Sequence, residues 1–264
     1  DPIAIKLILS ITEKSIDESR YDVAQGFLNT LPKTINDEAT KNYIKYLQAR
    51  IYDKQDKKAR AREIWAGIKK DNTDRESRAK ATYEIVMQDY NAGKIKDDEA
   101  IKQLDETRIV WRGDIFEYHL LEQLADLYLK NNDEYNALVT YKEVLSTFPN
   151  FPDNLPLAAK MRQVYEKAID KNFANKENTF KAVSIYYEFE ELKPVGPKGD
   201  EITLKLADSL ARYDLLDQAA KILEKYSASL TEGVQKNEIG TRIAILYFLN
   251  NKPKEALEAL KNSE

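Results

Sequence analysis

The chain has 264 residues with 33% charged and 42% hydrophobic side chains, a net charge of −4, 8 glycines, 8 prolines, one histidine and no cysteine. So few turn formers exclude a β-sandwich or barrel, which needs a Gly, Pro or Asn-Gly turn roughly every 8–12 residues. The absent cysteine and lone histidine exclude disulfides, thiolate chemistry, structural zinc and every motif that needs two histidines.

Taken in chain order, the remaining pattern is one of amphipathic helices arranged in repeats. The first predicted unit, 5–34, carries Ala24, Leu28 and Leu31, and the second, 42–72, carries Ala61, Trp65 and Ile68. The third, 74–112, has Ala100, Leu104 and Thr107; the fourth, 114–151, has Ala137, Tyr141 and Val144. The fifth, 155–193, has Ala182, Tyr186 and Phe189; the sixth, 200–230, has Ala219, Leu223 and Tyr226; the seventh, 237–264, has Ala256, Leu260 and Ser263. The alanines lie 37, 39, 37, 45, 37 and 37 residues apart. Steps of four and three keep each triplet on one helical stripe. Twelve residues before four of these alanines stand Ala49, Ala125, Ala207 and Ala244, each followed three positions later by Tyr52, Tyr128, Leu210 or Tyr247. Two helices joined by a short turn account for both stripes, with the small residues at the helix crossing. The chain is therefore expected to be all-α, about fourteen helices in seven antiparallel pairs, forming one domain over 1–264. Thr73-Asp-Arg-Glu76 reads as a capping box, and Asp114 and Asp200, each after a glycine, read as N-caps. The clearest breaks are Asn150–Pro156 and Pro194–Gly199.

The pattern resembles the tetratricopeptide repeat, a helix–turn–helix of about 34 residues. The fourth unit carries the resemblance best, with Leu121, Leu124, Ala125, Tyr128, Ala137, Tyr141, Val144 and Pro149 at the eight characteristic positions. The resemblance implies a right-handed α-solenoid in which the first helix of each pair lines a concave surface. By position, groove-facing residues are then Tyr43, Tyr46, Arg50 and Lys54 in unit two and His119, Glu122, Asp126 and Lys130 in unit four. Unit six supplies Leu204, Asp208 and Arg212, and unit seven supplies Thr241, Ile245 and Phe248. Chaperone-docking members hold a terminal carboxylate with Lys and Asn at such positions; Glu122 and Asp126 stand there here and disfavour that subtype. A groove aromatic and basic in unit two but acidic in units four and six suits an extended peptide of mixed charge. The implied function is a non-catalytic scaffold that binds a protein or peptide partner. The blocks Leu104–Arg108, Trp111–Asp114, Pro194–Gly196, Gly199–Asp200 and Leu206–Asp208 also look like those of long bacterial proteins with such repeats at their carboxy-terminal end.

Catalytic templates find no match. His119 is the only imidazole, no GxSxG, GxxxxGK[ST] or GxGxxG occurs, and Asp71–Glu76 lacks the glycine of a calcium loop. No catalytic residue, metal or cofactor is expected. Arg112-Gly113-Asp114 spells an adhesive tripeptide but reads as helix stop, turn and cap. Ten basic and six acidic residues between Asp53 and Lys80 form a basic stretch. It reads as a solvated helix face, with nucleic-acid binding as the lesser alternative. The longest apolar run, Ile243–Leu249, has seven residues, so no membrane insertion is expected. That run invites homo-oligomerisation through the last repeat, because solenoid ends need a polar outer face. The chain starts at Asp1, as expected of a processed product or excised domain, and zero cysteine fits either redox compartment.

Overall fold

A computed structural model describes residues 2–231 and 233–262. These form fourteen α-helices and two single-turn 3-10 segments, with no β-strand among the described residues. The chain is an all-α helical repeat. It divides into two compact units, Asp1–Pro149 and Asn150–Glu264, at the start of the first break marked by composition.

The first unit holds four helix pairs: α1 (Pro2–Asp17) with α2 (Tyr21–Asn29), α3 (Glu38–Lys54) with α4 (Lys58–Lys69), α5 (Arg75–Asn91) with α6 (Asp97–Val110), and α7 (Ile115–Lys130) with α8 (Glu134–Thr147). Each second helix in this unit except α8 also packs on the first helix of the next pair. The second unit holds three pairs: α9 (Asn154–Ala174) with α10 (Thr179–Glu188), α11 (Pro197–Arg212) with α12 (Leu216–Ser227), and α13 (Val234–Leu249) with α14 (Pro253–Lys261).

The seven stripe alanines are all buried, as are Ala49, Ala125, Ala207 and Ala244 on the first helices. A methyl side chain lets two helix backbones approach within about 8–10 Å. The large residues four positions on fill the adjoining space: Leu28, Trp65, Leu104, Tyr141, Tyr186 and Leu223 are buried. Leu260 departs from the pattern and is exposed. Ser263 lies outside the described residues.

The glycine shortage has a structural counterpart in the turns. Six pairs turn through one residue in the left-handed region: Ser19, Asp56, Gly93, Asn132, Asp214 and Asn251, with φ between 57° and 69°. In each, the next residue's N–H donates to the carbonyl five residues back, as in Lys57 to Tyr52 and Asp133 to Tyr128, at 2.8–3.0 Å. This is the Schellman closure, which usually takes glycine. Short polar side chains, mostly Asn and Asp, occupy five of the six positions, because they tolerate left-handed backbone better than other L-residues. The fifth pair lacks this turn; its 21-residue α9 and the 3-10 segment Lys176–Asn178 produce the 45-residue interval.

Several boundaries move. Asp74, not Thr73, caps α5 by accepting from Ser77 N, while Glu76 pairs with Lys80. Asp71 takes the Thr73 amide and hydroxyl instead, which removes Thr73 from capping duty. Asp114 caps α7 as expected, accepting from Glu117 N, and Gly113 turns at φ 96°. Asp200 does not cap: α11 starts at Pro197 behind Gly196, so Gly199 and Asp200 lie in its first turn. Helices α3, α11 and α13 begin about one turn before the expected unit boundaries, because their first turns are polar and carry no apolar stripe.

Candidate functional site

The first helices α1, α3, α5 and α7 converge on a groove of 740 Å³ in the first unit. Its lining follows one register. Counting back six residues from the left-handed turn residue gives Glu13, Arg50, Met87 and Asp126; counting back ten gives Leu9, Tyr46, Tyr83 and Glu122. Glu13, Arg50 and Asp126 line the groove with Tyr46, Tyr83 and Glu122, so adjacent turns on one face of successive helices build its floor.

Arg50 is the electrostatic centre. Its guanidinium donates to Asp17 Oδ1 at 2.8 Å and lies 3.6 Å from Glu13 and 3.4 Å from Glu84, linking α3 to α1 and α5. Tyr46 donates to Glu84 at 3.0 Å and Tyr43 to Glu13 at 2.6 Å. Burial pushes the Glu84 carboxyl above the ordinary value despite Arg50 beside it. Burial, with Glu84 next, likewise holds the Tyr46 hydroxyl well above 10. Lys80 is buried over the Tyr43 ring, its Nζ 2.8 Å from Glu76. On α7, His119 Nδ1 sits 3.8 Å from Glu122, and Tyr141 donates to Asp126. The exposed Ile115 adds an apolar patch to the wall.

Of the eight expected residues in this unit, Tyr46, Arg50, Lys54, His119, Glu122 and Asp126 share the groove. Tyr46 differs from expectation in being buried, with little surface to offer a partner. Tyr43 lies under Lys80, outside the lining, and Lys130 reaches away to the Tyr90 ring at 5.2 Å. Sequence reasoning missed Glu13, Asp17, Lys80, Tyr83 and Glu84, which come from α1 and α5.

In the second unit, Asp208 and Ile245 share a 130 Å³ cleft with Arg242, which pairs with Asp208. Leu204, Arg212, Thr241 and Phe248 do not line it. Arg212 folds back onto the Asp208 carbonyl, Thr241 onto Asn237, and Phe248 projects into solvent.

The basic stretch 53–80 is partly neutralised by its neighbours. Arg62 forms a bidentate pair with Asp89 at 2.8 Å, and Lys57 and Arg60 lie over Tyr52. Among the described residues no helix is long and apolar enough to cross a membrane, and no group of three or more His, Cys, Asp or Glu could hold a metal ion.

Antiparallel helix pairs with small residues at each crossing, stacked so that first helices share a groove, define a helical-repeat protein with the tetratricopeptide type of fold. No protein-family model and no curated protein matches the sequence. Among solved structures, the chain is similar to the apo form of RapI at 12% identity and a TM-score of 0.50, covering 98% of this chain and 75% of that one. It is also similar to a signal-transduction ATPase with a tetratricopeptide repeat sensor from Pyrococcus horikoshii, at 16% identity and a TM-score of 0.49, covering 97% of this chain. The chain spans only 41% of that protein's length. At 12% identity the likeness to RapI shows the fold and nothing finer.

Proposed function

We propose that the protein is a non-catalytic interaction scaffold that holds an extended peptide, or an extended segment of a partner protein, in the groove of its first unit. The observation that carries this reading is the convergence of four first helices on one 740 Å³ groove lined by both aromatic and charged side chains. A groove built by successive repeats offers recognition points in a row, which suits an extended chain better than a compact ligand. Its charges are already held in place by Arg50 and the tyrosines, so little ordering accompanies binding. The affinity expected of such a surface is micromolar, about −8 kcal/mol. A free carboxylate next to Glu122 and Asp126 is disfavoured by about 1 kcal/mol at exposed separations.

The test is capture of partners from the source cell with the wild-type chain and with Glu122→Lys and Lys54→Glu, both on the groove lining. Loss of a common set of partners from both variants supports the groove. An unchanged set removes it.

A second reading rests on the second unit, where Ile245, Phe248, Leu249 and Leu257 are all more than half exposed on α13 and α14. Exposed apolar side chains of this size favour self-association. A sedimentation profile that stays monomeric at high micromolar concentration would eliminate it.

A further inference from the structure

A second cleft, of 600 Å³, adjoins the groove and shares Lys54, Tyr83, Glu84 and Gln123 with it. The two lobes carry opposite charge. Beyond the shared residues, the first lobe has Glu13, Asp17, Glu122 and Asp126 against Arg50 and Lys80. The second has Lys58, Arg62 and Lys94 against Asp53. Asp89 draws on Arg62 and Lys94, leaving Lys58, 3.8 Å from Asp53 and largely exposed, as the least engaged cation of this lobe. The second lobe also contains Trp65, whose side chain is 1% exposed and whose Nε1 donor has no acceptor. A buried N–H without an acceptor is uncommon in a folded protein. Met87 lines the same lobe.

We infer that the two lobes form one bipolar groove that selects a segment bearing both a basic and an acidic side chain, the acidic one seated in the Trp65 lobe. The inference rests on the peptide-binding reading above and names its ligand class. Any occupant strips water from both sets of charges, and only a segment of matching opposite polarity compensates that loss at both ends. A purely basic segment leaves the Lys58 lobe opposed by like charge, and a purely acidic one meets Glu122 and Asp126. Neither supplies what the other end needs.

The protein offers its own reporter. It has two tryptophans, and Trp111 lies outside both lobes, bonded to Asp114. In Trp111→Phe, emission comes from Trp65 alone. The probes are dye-labelled, end-blocked peptides of equal length carrying Lys and Glu together, Lys alone, Glu alone, or Gln in place of both. Anisotropy at low salt should show the Lys/Glu peptide binding at least about tenfold tighter than the others, with the advantage shrinking as salt rises. Trp65 emission should move with the Lys/Glu and Glu peptides and stay fixed with the Lys peptide. Lys58→Glu, on the surface and harmless to folding, should reduce the Lys/Glu peptide to the Lys-peptide affinity. Equal binding of the Lys and Lys/Glu peptides, or an unmoved Trp65 signal on binding, overturns the bipolar assignment while leaving a peptide groove. Absence of binding by every peptide, together with a partner set unaffected by Glu122→Lys, removes the peptide reading itself.

Discussion

Arg50 on α3 reaches Asp17 at the end of α1, its Nη2 2.8 Å from Oδ1, and so ties the second helix pair to the first through the groove floor. The same guanidinium lies beside Glu13 and Glu84. Arg50→Ala leaves these three carboxylates facing one another without their common cation. Breaking a buried pair costs about 3–5 kcal/mol, but Asp17 is more than half exposed, and solvent screening reduces the expected loss to about 2 kcal/mol. Arg50→Lys should recover only part of this, because a compact ammonium lacks the planar fork that meets carboxylates on two sides. Urea unfolding of the three proteins measures both effects. A loss below about 0.5 kcal/mol, the usual range for surface changes, would mean that the cluster contributes little to holding the pairs together.

The turns yield a second prediction. Asn132 sits at φ 58° between α7 and α8. Asn132→Gly should lose less stability than Asn132→Val, since glycine has no left-handed penalty. Asn132→Val should cost about 1–2 kcal/mol, the price of that backbone for a branched L-residue. Equal melting temperatures for the two variants would argue against a left-handed turn at this position.

The same turn residues explain what was legible in the sequence and what was not. The alanine stripe located all seven pairs because a methyl group at a helix crossing is demanded by packing, and packing tolerates few alternatives. It located the groove only in pairs whose first helix lies at a constant distance from that alanine. In the third pair Ala100 stands seven residues after the left-handed Gly93, whereas Ala61 and Ala137 stand five after Asp56 and Asn132. Counting twelve back from Ala100 therefore lands on Gln88 and misses Val86, the residue that is fully buried. Met87, Tyr83 and Lys80 were lost with it. Counted from Gly93 they fall on the positions of Arg50, Tyr46 and Tyr43. In the first pair the crossing residue is Thr12, buried with its hydroxyl bonded to the Ile8 carbonyl, so no alanine marks that crossing or the adjacent Glu13. The charge partners of Arg50 lie 30 or more residues away, and no local pattern connects them.

Ala137 is fully buried where α7 and α8 meet. Ala137→Leu adds three carbons to a filled crossing and should cost about 1–3 kcal/mol through displaced helices and strained rotamers. The same replacement at an exposed alanine, Ala159→Leu on α9, should not. If both variants melted alike, the crossing would be looser than the burial of Ala137 implies.

Gly199 packs closely against the Pro194 backbone. A Cβ built there would lie 1.9 Å from the Pro194 carbonyl oxygen. Neither atom belongs to a flexible side chain, so Gly199→Ala must displace the start of α11 or the preceding loop. The expected loss is about 2–3 kcal/mol, at the upper end of overpacking effects. Gly67→Ala, inside α4 with nothing within 4 Å of its new Cβ, should instead gain about 0.5–1 kcal/mol from helix propensity. Thermal unfolding of the pair reads the two signs directly.

Asp71 supplies a pH dependence with a defined sign. Its carboxylate accepts from the Thr73 hydroxyl at 2.6 Å and amide at 2.9 Å, and from the buried Asn42 side chain at 2.8 Å. These donors, the Thr73 hydroxyl foremost, bring its pKa from the ordinary 3.8 down to about 2. A folded-state value below the unfolded one means that the unfolded chain binds the proton more readily, so stability rises with pH across the interval. The contribution is complete above the unfolded value of 3.8 and disappears as pH falls through about 2. Asp71→Asn removes the titration and presents an amide nitrogen where one of the oxygens accepted. The variant should be less stable than the wild type at neutral pH, and the gap should narrow steadily between pH 4 and 2. Chemical denaturation at a series of pH values tests this. A gap that stayed constant through that window would show that the Asp71 charge does not hold the α4–α5 turn.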